Sequence, residues 1–189
     1  PVMRLVNLSM PIFFEITIYN LVLYYIPLAI PVFAIIIHQR NSFEEIGITT
    51  KNLLIYIVLA VPLSFLLGLG EYLIIQPRYL IPDLTFINIL KLTIVMVFFA
   101  GLIEELIFRS IIQTRLEKIL SFPEALLITS ILFCLMHSGY GTYYEIIYTG
   151  LVGLYMGLTF YITKSLPFIV VMHGFINVFL FGILPHMIG

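Results

Sequence analysis

The sequence predicts an all-α, polytopic transmembrane helix bundle of about six spans, with a polar cavity among the C-terminal spans. Three observations carry this expectation. The 189 residues are 61% hydrophobic and 10% charged, with a mean hydropathy of +1.13, whereas soluble domains carry roughly 25% charged residues. The apolar residues fall in runs near the length of about 20 that crosses a bilayer. The few polar residues inside those runs concentrate in the second half of the chain. Residues 1–189 read as a single integral membrane domain, with 1–85 holding the N-terminal spans and 86–189 a motif-bearing core. The net charge of −1 leaves no electrostatic footprint for nucleic acid. One cysteine, Cys134, cannot form an intrachain disulfide.

The spans are expected at about 11–37, 53–75, 86–113, 122–137, 143–163 and 166–185. The chain begins at Pro1 rather than Met, so residues are expected to have been removed before it. The run from Pro11 is too long for a signal peptide and lacks a small-residue cleavage pattern. Pro27 and Pro31 fall inside that first span, and a kink is expected there. Ser42-Phe-Glu-Glu45 matches a capping box and predicts a short interfacial turn before Gly47. Pro62 lies within the second span. The fourth span is short; Ser121-Phe-Pro-Glu124 predicts its capped start. Thr142-Tyr-Tyr-Glu145 matches the same pattern for the fifth, and Ser165 followed by Pro167 starts the sixth. Gly150, Gly153 and Gly157 give the fifth span a small-residue face suited to close packing. Arg40, Lys51, Arg115, Lys118 and Lys164 fall on one side, and Arg4, Arg78 and Lys91 on the other. The first side is expected to be cytoplasmic.

An ionisable group at mid-bilayer costs at least ~2.5–3.5 kcal/mol, so each needs a reason. At 1.5 Å per residue, Glu104 lies ~16 Å from Arg115, His137 ~21 Å from Pro123, and His173 and Asn177 ~10 and ~16 Å from Leu166. These depths overlap. Glu105 and Arg109 are four residues apart and can pair, as can His173 and Asn177 on one helix face. Glu104 points about 100° away from Glu105. The expected division is therefore Glu105 held by Arg109 as scaffold and Glu104 free to face the cavity. Any one of these residues alone reads as interhelical glue; the group does not, because glue needs no second carboxylate. Glu15 and Glu71 are expected near water, Glu145 as a cap, Cys134 as core, and Tyr140, Tyr143, Tyr144 and Tyr148 as an interfacial cluster.

A glutamate, two histidines and an asparagine suit attack of water on a carbonyl. The glutamate takes the proton, and the amide and an imidazole donate to the oxyanion. Zinc held by His137 and His173 is an open alternative, although HExxH spacing is absent and only two clear ligands remain. The motifs E-E-x-x-x-R (Glu104 to Arg109), F-x-x-x-H (Phe133 to His137) and H-x-x-x-N (His173 to Asn177), in that order within apolar helices, resemble those of the CAAX protease and bacteriocin-processing family. This is the type II CAAX prenyl endopeptidase superfamily, also called ABI proteins. The resemblance covers roughly the last hundred residues. It implies an intramembrane endopeptidase of a prokaryotic cell membrane, with its cavity open to the cytosol and a lipidated or hydrophobic peptide as substrate. By the same resemblance Glu104 activates water, His137 and His173 hold the water or transition state, Asn177 serves the oxyanion, and Glu105 and Arg109 support the helix. No cofactor is expected to be required. The competing functions are a non-catalytic immunity or interaction protein on the same fold and, further behind, a small transporter.

Overall fold

A computed structural model describes residues 17–40 and 42–189. Arg4, Pro11 and Glu15, with the opening of the expected first span, lie outside them. The described residues contain helices and turns and no strand. Among the described residues six helices are long and apolar enough to cross a membrane: α1 (Ile18–His38), α2 (Leu53–Ile75), α3 (Phe86–Leu116), α4 (Phe122–Tyr140, its last turn 3₁₀), α5 (Tyr143–Thr163) and α6 (Leu166–Ile188). The protein is an integral membrane protein by this pattern. Outward faces are apolar, as with Leu23, Leu54, Phe86 and Ile162. That arrangement is stable in lipid and would expose a large apolar surface in water.

The caps follow the predicted residues, with one exception. Glu124 reaches back to the Ser121 amide at 2.9 Å, completing the capping box of α4. Ser165 accepts from the Phe168 amide. Ser42 and Glu45 cap each other around the turn that ends at Gly47, where φ is +81°. At α5, Thr142 caps alone, accepting from Tyr144. Glu145 does not close the box; it turns inward and is wholly buried. In the loop before α3, hydrogen bonds from Thr85 and Asn88 hold the Asp83 carboxyl below the usual carboxylate range.

Packing centres on α6. Its apolar window is 61% buried, against 11% for α1. Glycines and one serine set the close approaches. A Cβ on Gly101 would lie 2.9 Å from the Val170 carbonyl, and one on Gly174 would lie 2.7 Å from Val97 Cα. These two positions clamp α3 to α6. Ser64 donates to the Met172 carbonyl at 2.7 Å, and Gly68 sits against the Ile176 carbonyl, which seats α2 on α6. At one end of the bundle Ser110 donates to Ile46 O and Leu166 N to Gly47 O. At the other, Leu80 N donates to Phe181 O and His186 bonds Ile81 O.

The third span departs from a regular α-helix. It widens into π-helical turns at Met96–Gly101 and again at Leu106–Gln113, leaving a short α segment, Leu102–Glu105, between them. π-turns are rare and recur at functional sites. Here they bracket the two adjacent glutamates.

Candidate active site

Glu105 and Arg109 pair as the four-residue spacing predicts, at 3.0 Å, with both side chains almost fully buried. Arg109 is further held by donating to the Gly153 carbonyl at 3.2 Å and by stacking 4.6 Å over the Phe133 ring. One turn on, Gln113 donates to the Gly157 carbonyl at 3.0 Å. The glycine face of α5 thus exposes two backbone acceptors, four residues apart, to side chains four residues apart on α3. Without a Cβ at Gly153 and Gly157, those carbonyls are reachable.

Glu105 does more than neutralise arginine. Its Oε1 accepts from Nδ1 of His173 at 2.7 Å. His173 Nε2 then faces Glu104 Oε2 at 3.8 Å. The clamp at Gly101 and Gly174 is what permits this, because Gly174 follows His173 directly and brings its backbone against α3. The order Arg109, Glu105, His173, Glu104 is a continuous chain of charged or chargeable groups. A carboxylate on one ring nitrogen fixes the orientation of the imidazole.

Glu104 is not partnerless, as the sequence suggested. The hydroxyl of Tyr25, on α1, donates to its Oε1. Its Oε2 has no donor. Tyr25 was missed because a tyrosine in an apolar run reads as an interfacial anchor. Glu104 is also not on the cavity wall; it reaches the cavity through His173.

The cavity is small and open to one side, and is lined by His137, His173, Asn177, Phe133, Thr149 and Glu71, among others. His137 terminates the α-helical part of α4, and its Nδ1 donates to Phe133 O at 3.0 Å, leaving Nε2 as the second ring nitrogen. It lies within electrostatic reach of Glu104 and His173. Asn177 stands one turn beyond His173 on α6. The three motifs are therefore brought together. Cys134 is buried, as expected. Two other expectations are corrected. Glu71 is not at the outer surface of a span end: it is 6% exposed and lines the cavity. Tyr148 is not interfacial, because its hydroxyl turns inward to Leu67 O.

A family model for type II CAAX prenyl endopeptidase Rce1-like proteins matches residues 86–179. The chain belongs to the CAAX protease family. No curated protein and no solved structure matches it. The CAAX-protease match spans α3 to the middle of α6, and so encloses all three motifs. It leaves α1 and α2, and with them Tyr25 and Glu71, outside. Zinc needs three protein ligands. Among the described residues no three His, Cys, Asp or Glu side chains are grouped so as to hold a metal ion.

Proposed function

We propose that the protein is an intramembrane endopeptidase that hydrolyses a peptide bond in a hydrophobic or lipidated, CAAX-type peptide through glutamate-activated water. The observation that carries this is the facing pair Glu104 Oε2 and His173 Nε2, 3.8 Å apart, with no donor on the carboxylate oxygen. A polar gap of that width beside a cavity suits a bridging water. In this reading the water oxygen attacks the scissile carbonyl carbon and Glu104 takes its proton. The Asn177 amide donates to the oxyanion, and His137, whose Nδ1–H is taken by Phe133 O, offers Nε2 as an acceptor that helps hold the water. Collapse breaks the C–N bond, and the proton on Glu104 passes to the leaving amine. Glu105 holds His173 in place, and Arg109 holds Glu105. No cofactor is required.

The test is cleavage of hydrophobic and farnesylated peptides by the full chain in detergent, with and without chelator. Glu104→Ala should abolish cleavage while the protein stays folded, and chelator should leave the wild-type rate unchanged. Normal turnover by folded Glu104→Ala would overturn the reading and favour a non-catalytic binding protein.

The family resemblance implies a cytosolic opening. The cavity, however, approaches the end carrying His137 and Glu71, away from Arg115, Lys118 and Lys164. A cysteine at Gly139 in a Cys134→Ser background, labelled with an impermeant maleimide, separates them. Labelling from the cytosolic side upholds the family's access; labelling from the outer side upholds the charge asymmetry.

A further inference from the structure

A second carboxylate pair, Glu71 and Glu145, has no part in the chemistry above. Glu71 is one turn from the end of α2 and lines the cavity that holds His137, His173 and Asn177. Glu145 is in the first turn of α5 and is 0% exposed. The seam between the two helices is fixed beside them. The Tyr148 hydroxyl donates to Leu67 O at 2.7 Å, and Gly70 leaves the space that ring occupies, since a Cβ there would lie 2.8 Å from Tyr148 Cζ. Glu71 follows Gly70, and Glu145 lies three residues before Tyr148. The two carboxyl groups therefore face the same seam, close enough to act on each other electrostatically.

Neither oxygen of Glu145 has a donor. Among the described residues neither glutamate has a Lys, Arg or His partner within ion-pair distance. Arg109 is committed to Glu105 and Gly153 O, and the Tyr148 hydroxyl to Leu67 O. Buried charge requires a partner, and two carboxyl groups facing one seam are linked only by a proton or a cation between them. Packing alone would be served by one acid and one donor; a second acid adds charge. A metal ion is the weaker candidate, because no third His, Cys, Asp or Glu joins the pair.

We propose that Glu71 and Glu145 form an anionic subsite that holds a cationic group of the substrate, a lysine ammonium or an arginine guanidinium, beside the scissile bond. Glu71 presents its carboxylate to the cavity, and Glu145 adds its charge from behind it. Surrounding apolar side chains lower the local dielectric and strengthen the attraction. The subsite rests on the peptidase reading for its place next to a scissile bond.

The test is peptide binding to full-length Glu104→Gln in detergent, where turnover is suppressed. The probes are two fluorescein-labelled Ala/Leu decapeptides that differ only in a central lysine or norleucine. The lysine peptide should bind at least tenfold tighter. Adding Glu71→Gln or Glu145→Gln should bring the ratio near one while norleucine-peptide affinity stays within twofold. Equal binding of the two peptides with both glutamates intact would overturn the subsite and mark the pair as linked by a proton alone. A ratio that survives both substitutions would overturn it too. If either variant fails to fold, the ratio with the pair intact still decides. Cleavage of both peptides by the wild type, measured in parallel, judges the peptidase reading separately. Cleavage without discrimination sinks the subsite only; discrimination in binding without cleavage sinks the peptidase only.

Discussion

Two pairs of glutamates are buried among the described residues, and their surroundings differ. Glu104 and Glu105 are neighbours on one helix, and every element around them supplies a compensating group: Arg109 from α3, His173 from α6, Tyr25 from α1. Glu71 and Glu145 meet across two helices, and no cation comes to them from the described residues. The first pair is held in geometry by its partners, with Oε2 of Glu104 left open toward His173. The second has charge left over. A residue's burial and type do not separate the two cases; the count of partners does.

The sharpest way to break this contrast is to turn the first pair into the second. Arg109→Leu leaves Glu105 buried without its cation, and removing one partner of a buried pair costs about 3–5 kcal/mol. Thermal unfolding in detergent should show a large fall in midpoint; an unchanged midpoint would mean that the pair is not compensated in the way described. The second pair should respond with the opposite sign. Glu145→Gln removes uncompensated charge and should stabilise the protein by about 1–3 kcal/mol, the scale of an unsatisfied buried polar group. Destabilisation would show that the carboxylate has a partner after all. Of similar size is Tyr25→Phe, which removes one hydrogen bond to a charged group, worth about 1.5–3 kcal/mol. Cleavage should slow about tenfold or more, and the pH–rate profile should move with it. A slower rate with an unmoved profile would reduce Tyr25 to packing. The smallest effect belongs to Ser121→Ala, far from both pairs, which should cost about 1 kcal/mol of stability through the lost cap and leave the rate unchanged.

Much of the frame was legible in the sequence. The bounds of α2 and α5 fall where apolar runs meet Asn52, Gln76, Thr142 and Lys164, because helix ends are written locally in polar and turn-forming residues. The three motifs were also legible, since ionisable groups stand out against so apolar a background. What failed was tertiary. Ser121-x-x-Glu124 and Thr142-x-x-Glu145 are the same signature, yet only the first closes. Glu124 is exposed and has nothing better than its own helix end, whereas Glu145 faces α2. Tyr25 looks like its neighbour Tyr24 in sequence, and only the approach of α1 to Glu104 distinguishes them. The π-turns of α3 have no signature in residue type. They answer to the glycine clamp with α6 and to the carbonyls of α5, neither of which a local pattern encodes.

Those π-turns make chain length itself a determinant of the site. A π-turn holds an additional residue within a helix whose ends stay where they are. Deleting one residue between Met96 and Gly101 would let the helix relax to a regular winding and rotate one side against the other by about 100°. Glu104 and Glu105 would swing away from His173 with almost no change in composition or hydropathy. A variant with every motif intact, one residue shorter, would keep its spans and lose its site.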